Sequence, residues 1–167
     1  MSTDQGSTYA AFIADQLKAE HARRTSLDDR GAKLQQSLTV TVGLFATALG
    51  LLLGKDGRMA GISLWLFAAT VLVLVAAFLC GVVSTRLMGY EVADGDTFAH
   101  MLSSHWTDTE PSSRNITAWL DAKTIERLRP GNNFKAAWLL AGITCQGIGV
   151  ALGAAAFVSL ATTRLAG

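Results

Sequence analysis

The sequence predicts an all-α membrane protein with three transmembrane helices, arranged as a hairpin plus one, and a small cytoplasmic α-helical cap. Two observations predict this class: only 16% of the 167 residues are charged, and the charges leave three long stretches of the chain empty. The empty stretches are residues 34–54, 59–85 and 136–163. Because a helix rises about 1.5 Å per residue, the shortest stretch spans about 30 Å, the thickness of the hydrocarbon core of a bilayer.

Other classes fit the composition less well. Three buried helices of a soluble protein are the alternative, but charge-free runs of 21 to 28 residues exceed the length of ordinary buried helices. The net charge of +1 disfavours a nucleic-acid-binding protein. Two cysteines, Cys80 and Cys145, are too few for a disulfide-rich secreted domain, and we interpret them as packing residues inside spans. A signal peptide is disfavoured because residues 1–33 carry charges throughout.

The charge-free stretches divide the chain into four segments. These are a charged amphipathic helix over residues 1–33, a two-span hairpin over 34–85, a helical connector over 86–133 and the third span over 134–163. In the first segment, apolar residues at helical spacing predict a helix over 8–24. Ser26 resembles an N-cap, so the helix either restarts there or runs unbroken from residue 8 to residue 54.

The connector carries its own start and stop signals. Asp96 is a candidate cap for a short helix over residues 97–106, and a loop follows over 107–114. A second helix is predicted over 115–129, ended by Arg129-Pro-Gly. The hairpin of the first two spans turns tightly at Lys55–Arg58.

The distribution of lysine and arginine predicts the orientation. Five lie in residues 1–33 and six in residues 86–135, against three elsewhere, at Lys55, Arg58 and Arg164. Because lysine and arginine concentrate on the cytoplasmic side, we expect a multi-pass protein of the plasma (inner) membrane. Its N-terminus would be cytoplasmic and its C-terminus outside, with the lipid bilayer as its first partner.

Small and polar residues inside the spans suggest how helices pack. Gly50 and Gly54 form a GxxxG pattern in the first span, and Gly142, Gly149 and Gly153 share a face of the third. These glycines serve either internal packing or a homo-oligomer contact. The interior polar residues singled out as interhelical contacts or a pore lining are Thr39, Thr41, Thr144 and Gln146. For the Gln146 amide we expect a partner on the Thr- and Gln-rich face of the first span or in Gln146 of another copy. None is ionisable, which disfavours a proton-coupled transporter.

Charged residues cluster on the predicted cytoplasmic side. They can anchor the topology and pair along the helix, as Glu20 with Arg24 would. Alternatively, they form a site for a phosphate or a nucleotide. The candidate ligand-binding residues for that reading are Arg24, Arg30, Arg129, Asn132 and Lys135.

Catalytic and metal-binding patterns are missing from the sequence. The three histidines, His21, His100 and His105, lack ligand spacing with any Cys, Asp or Glu cluster. No nucleophile elbow, metalloprotease helix, P-loop or dinucleotide-binding glycine pattern occurs. We therefore expect a protein that is not an enzyme, with no catalytic residue, no metal and no cofactor.

Two charged stretches that run into spans carry a family resemblance. They are Gln16–Glu20 with Arg24–Leu34, and Glu126–Arg129 with Asn132–Ala136. The pattern resembles small actinobacterial integral membrane proteins and the transmembrane effectors of nucleotide-signalled phage defence, of the Pycsar and SLATT types. The resemblance implies oligomerisation and membrane permeabilisation, triggered by a cyclic nucleotide or another cytoplasmic signal. The sequence departs from the pattern of those effectors in one respect: we expect no fused sensor domain among these 167 residues.

Two hypotheses on function follow. The first is a non-enzymatic effector that forms a homo-oligomer and permeabilises or depolarises the inner membrane in a defence or stress response. The second is a membrane scaffold or accessory subunit, in plasmid transfer or another membrane complex, whose cytoplasmic helices bind a protein. Trp106 and Trp119 in the short connector motivate the second hypothesis.

Overall fold

The structure, a computed structural model, describes residues 3–53, 61–86 and 95–165. These residues are all α-helical apart from short connections. They form α1 (Thr3–Leu53), α2 (Ile62–Thr85), α3 (Gly95–Ser104) and α4 (Glu110–Leu165). Three of the four, α1, α2 and α4, are long and apolar enough to cross a membrane. The fold class predicted from the charge-free stretches is confirmed.

Helix α1 is unbroken over its 51 residues. Of the two alternatives at Ser26, the continuous helix is the one that forms. Leu27, next to Ser26, is buried in an apolar cluster with Leu34 and Leu38. Packing of this face therefore outweighs the local N-cap signal. The turn predicted at Lys55–Arg58 lies outside the described residues.

Helix α4 contradicts two predicted boundaries. It begins at Glu110, inside the predicted loop, with Pro111 in its first turn, where a missing N–H costs nothing. It then continues through Pro130, where the sequence predicted a stop. A proline in a helix interior costs about 3 kcal/mol. Leu128 and Asn132, on either side of it, are both buried, and their contacts favour a continuous helix.

Helix α3 forms close to its predicted place. It covers Gly95–Ser104 instead of residues 97–106, so Asp96 lies in its first turn and not at its cap. A carboxylate in the first turn still interacts favourably with the positive end of the helix dipole. The prediction of a short helix here is confirmed with a shift of two residues.

The chain divides into two compact units. Unit 1 comprises Met1–Ser26 and Leu87–Phe134, and unit 2 comprises Leu27–Arg86 and Lys135–Gly167. In unit 2, α2 runs antiparallel to α4, since Ser63 Oγ lies 3.0 Å from Ser159 Oγ while Cys80 lies beside Gly142. The domain boundaries at residues 34, 86 and 134 refer to a membrane and remain predictions.

Within unit 2 the three apolar stretches lie side by side. Its buried cluster takes Leu34 from α1, Ala77 from α2 and Leu139 from α4. Gly31 of α1 contacts Thr85 at the end of α2, so Lys33 and Arg86 lie at the same end of unit 2. This alignment is what three spans of one bilayer require, because the charge-free lengths must share one depth.

Candidate functional site

The charged site of unit 1 is built around the carboxylate of Glu20. Arg129 donates from Nε to Glu20 Oε1 at 3.1 Å. The amide of Asn132 donates to Glu20 Oε2 at 3.0 Å and to the Glu20 carbonyl oxygen at 3.1 Å. Arg23 Nη1 lies 3.7 Å from Glu20 Oε2. One carboxylate therefore binds three donor side chains, one from α1 and two from α4.

The helices position this site through the face on which Asn132 lies. Asn132 is 2% exposed and lies on α4 at helical spacing from the buried Ile125 and Leu128. A buried amide must find hydrogen-bond partners, and Glu20 supplies two acceptors. Arg23 extends the site, donating from Nη2 to Asn133 Oδ1 at 2.9 Å. The register of α1 against α4 in unit 1 thus depends on polar contacts.

These contacts hold the Glu20 side chain in its charged form. The hydrogen bond from Asn132 contributes most to a pKa below the ordinary value of 4.5. The hydrogen bond from Arg129 and the positive charges of Arg23 and Arg129 act in the same direction, and burial opposes them. Glu20 is therefore an anion at neutral pH.

Unit 2 holds a separate ion pair. Lys135 of α4 donates to Asp28 Oδ1 of α1, and the Lys135 side chain is 1% exposed while that of Asp28 is 37% exposed. A buried ammonium needs a partner of opposite charge, since an unpaired charge in such a place costs several kcal/mol. Asp28 supplies that partner.

The five predicted ligand residues divide between the two units. Arg24, Arg129 and Asn132 belong to unit 1, and Arg30 and Lys135 belong to unit 2. Arg24 is half-buried and engaged in an interaction of its own, and Arg30 is exposed. Arg129, Asn132 and Lys135 bind carboxylates of α1. An incoming anion would compete with Glu20 for the amide of Asn132 and for Nε of Arg129, whose side chain is 53% exposed.

The glycines of the third span contact other helices of the same chain. A Cβ on Gly142 would lie 2.7 Å from Leu34 Cδ2 and 3.2 Å from Cys80 Cβ. A Cβ on Gly149 would lie 2.6 Å from a methyl of Leu74, and one on Gly153 would lie 2.5 Å from the Phe45 ring. A Cβ on Gly50 would contact no other helix, since it has no neighbour within 4 Å beyond the backbone of α1, and Gly54 lies outside the described residues.

The four interior polar residues satisfy their polar groups in two ways. The hydroxyls of Thr39, Thr41 and Thr144 each donate to the carbonyl four residues earlier in the same helix. The amide of Gln146 donates to Ser37 Oγ of α1 at 2.7 Å. Among the alternatives for Gln146, a hydrogen bond to the polar face of the first span is thus present within one chain.

An open apolar groove runs between α1 and α2 in unit 2. Its volume is about 640 Å³, and α1 lines it from Leu38 to Leu53 while α2 lines it from Phe67 to Phe78. Unit 1 has a smaller cavity of about 300 Å³ beside Trp106 and His105. His105 Nδ1 lies 2.9 Å from Asp108 Oδ2, and the Trp106 ring is 77% exposed.

Sequence reasoning missed Glu20 and Asp28 as partners of α4. It paired Glu20 with Arg24 of the same helix, whereas Arg129 and Asn132 of α4 also bind the Glu20 carboxylate. A signal was available in the spacing of Leu128, Asn132, Lys135 and Leu139, which alternates between four and three like the buried positions of a coiled coil. Polar residues at two such positions call for buried partners.

Within the described residues no group of three or more His, Cys, Asp or Glu side chains is placed to hold a metal ion. Comparisons with protein-family models, with curated proteins and with solved structures found no match to this chain. Three of the described helices are candidate membrane spans by their length and composition, which implies contact with a lipid bilayer.

Proposed function

We propose that this protein is a multi-pass effector of the cytoplasmic membrane that self-associates and raises the permeability of the bilayer. The observation that carries the proposal is the composition of unit 2. It combines three candidate spans with a polar contact, Gln146 to Ser37, inside the charge-free stretches. Polar groups at that depth are costly against lipid alone and are usual where helices assemble.

In this proposal unit 1 is the control element. The lysine and arginine bias supports a cytoplasmic location for residues 1–33 and 86–133. An anionic messenger such as a cyclic nucleotide would compete with Glu20 for Arg129 and Asn132, because phosphate oxygens accept the same hydrogen bonds. Displacement of Glu20 would loosen the contact between α1 and α4 in unit 1 and release the assembly.

The test is leakage from vesicles that contain the purified protein and a trapped dye. We expect leakage that rises with protein density, and that rises further when cyclic nucleotides are added on the side exposing unit 1. Leu74→Arg, which places a charge in the buried cluster of unit 2, is the inactive control. Tight vesicles at every protein density, with and without nucleotides, would contradict the proposal.

Glu20→Gln separates control from permeabilisation. Without the carboxylate charge, Arg129 is held less strongly, so we expect leakage that no longer depends on nucleotide. Lys123→Gln is the matched control, because it removes one exposed ion pair of unit 1, with Glu126, and leaves the Glu20 site intact. Equal nucleotide responses in the two variants would count against Glu20 as the control point.

A second function, a membrane scaffold that binds a protein, draws on Trp106 and Trp119. Their rings are 77% and 60% exposed. Exposed tryptophans are enriched at protein interfaces. Affinity purification from membranes with the natural chain and with Trp106→Ala and Trp119→Ala tests it: a partner lost from both variants supports the scaffold, and recovery of self-copies alone opposes it.

A further inference from the structure

We infer that unit 2 binds the phosphate group of an anionic phospholipid at the end where Arg30, Lys33 and Arg86 lie. Arg30 and Lys33 belong to α1, and Arg86 directly follows α2. The inference rests on the proposed function in one respect, since it takes α1 and α2 as membrane spans. It requires neither permeabilisation nor a soluble messenger.

These three cations lack partners of opposite charge within the chain. Four basic residues of unit 1 form ion pairs with carboxylates: Arg23, Arg114, Lys123 and Arg129. The side chains of Arg30, Lys33 and Arg86 are exposed and form no ion pair or hydrogen bond with another described residue. A group of exposed cations that no carboxylate neutralises attracts anions from outside the chain.

A contact between α1 and α2 brings the cations of the two helices together. Gly31 follows Arg30, and Thr85 precedes Arg86. A Cβ on Gly31 would lie 2.6 Å from Thr85 Cγ2, and Gln35 Nε2 donates to Thr85 Oγ1 at 3.4 Å. The basic side chains of both helices therefore lie beside one contact.

Positive charge is in excess at this end of unit 2. Lys135 of α4 is paired with Asp28, so these two residues contribute no net charge. Asp29 is the other acid in the described part of unit 2, and it is exposed. It forms no ion pair with Lys33, four residues later. One exposed carboxylate thus accompanies three exposed cations.

The depth of the cations favours a lipid phosphate over a soluble anion. Lys33 directly precedes the charge-free stretch 34–54, and Arg86 directly follows the stretch 59–85. If both stretches cross the hydrocarbon core, these side chains reach the layer of the headgroup phosphates. Arg30, one turn before Lys33, can bind two oxygens of one phosphate through its guanidinium group. Basic residues immediately next to spans select anionic lipids in this way.

Lipid retention, measured by native mass spectrometry, tests the inference. The full chain is purified in detergent and mixed with equal amounts of phosphatidylglycerol and phosphatidylcholine. We expect it to retain phosphatidylglycerol in preference, and Arg30→Gln to lower the preference about fivefold, the effect of one cation near an anionic surface. The triple variant Arg30→Gln, Lys33→Gln, Arg86→Gln should retain both lipids equally. It should keep the thermal stability of the lipid-free chain, because no ion pair is lost.

A second triple variant controls for net charge. Lys18→Gln, Lys123→Gln, Arg127→Gln removes the same charge from unit 1 and should leave the preference for phosphatidylglycerol unchanged. Lys18 is the closest match, because it is also exposed and forms no ion pair among the described residues. Equal retention of the two lipids by the natural chain, or the same loss of preference in both triple variants, would overturn the inference.

Inorganic phosphate distinguishes a lipid headgroup from a soluble anion. Phosphatidylglycerol should raise the melting temperature of the natural chain in detergent and leave that of the Arg30→Gln, Lys33→Gln, Arg86→Gln variant unchanged. Inorganic phosphate, compared with sodium chloride at matched ionic strength, should change neither. An equal rise with inorganic phosphate would indicate a site for a soluble anion and contradict the inference.

The outcomes separate this inference from the proposed function. Dye leakage without a preference for phosphatidylglycerol overturns the inference and leaves permeabilisation standing. A preference for phosphatidylglycerol in a chain that leaves vesicles tight supports the inference and contradicts permeabilisation. A chain absent from the membrane fraction contradicts both.

Discussion

Helices α1 and α4 contact each other in both units, but through different chemistry. In unit 1 the contact is made by the Glu20 carboxylate, Arg129 and Asn132. In unit 2, apart from one ion pair and one hydrogen bond, Leu34 and Phe45 pack against Gly142 and Gly153. The buried residues of α4 keep the same three-and-four spacing in both units.

The difference shows that spacing and side-chain chemistry carry separate information. The spacing sets which face of a helix is covered, whatever the surroundings. The chemistry of that face depends on its surroundings. Polar pairs give specificity where water competes for hydrogen bonds. Small residues allow close packing in lipid, where apolar surface alone does not drive helices together. This contrast is the one expected if, as proposed above, unit 1 lies in water and unit 2 in the bilayer.

The largest expected effect comes from the buried ion pair of unit 2. Asp28→Asn leaves the ammonium of Lys135, 1% exposed, without its counter-charge, and should lower the free energy of unfolding by about 3 kcal/mol. Lys123→Ala removes the exposed pair with Glu126 and should cost less than about 1 kcal/mol. Thermal unfolding in detergent compares the two.

Restoring apolar packing provides a check on the first prediction. The double variant Asp28→Asn, Lys135→Met removes the buried charge and should recover most of the lost stability. Equal losses of unfolding free energy in Asp28→Asn and Lys123→Ala would show that the buried ion pair stabilises the protein no more than the exposed one.

A smaller effect is expected at the glycines of α4, where one substitution should act with opposite sign at two positions. Gly142→Ala places a methyl 2.7 Å from Leu34 Cδ2 and should destabilise the protein by about 1–3 kcal/mol. Gly147→Ala meets no neighbour within 4 Å and should be neutral or stabilise by up to about 1 kcal/mol. Denaturation of both variants in one detergent measures the difference, and two equal values would refute close packing at Gly142.

The smallest effect concerns pH and unit 1. Because contacts lower the pKa of Glu20, its contribution to stability is complete above the ordinary value of 4.5 and is lost as pH falls through the lowered value. Glu20→Gln should cost about 1 kcal/mol at neutral pH. The gap in melting temperature between the natural chain and this variant should close below pH 4.5. A gap that is constant with pH would show that the charge of Glu20 contributes nothing.

The fold class could be predicted from the sequence because a long charge-free stretch is recognisable without knowing which other residues it contacts. The stop at Pro130 was mispredicted, since the local cost of proline is visible in sequence whereas the compensating burial of Leu128 and Asn132 depends on tertiary contacts, such as the hydrogen bonds of Asn132 to Glu20. The same holds for Glu20 and Asp28, whose partners on α4 lie more than 100 residues away along the chain. Gln146 differs from these two residues: the sequence offered the polar face of the first span as one of two partners, and the amide donates to Ser37 on that face.

The central claim is that the chain crosses the membrane three times and keeps residues 1–33 and 86–133 in the cytoplasm. Cysteine labelling tests it directly. In a chain lacking Cys80 and Cys145, a membrane-impermeant maleimide should modify Gly57→Cys in intact cells. It should modify Ala11→Cys and Asn115→Cys only after the membrane is opened. Labelling of Ala11→Cys and Asn115→Cys from opposite sides, or of Gly57→Cys from the same side as both, would contradict the three-span topology.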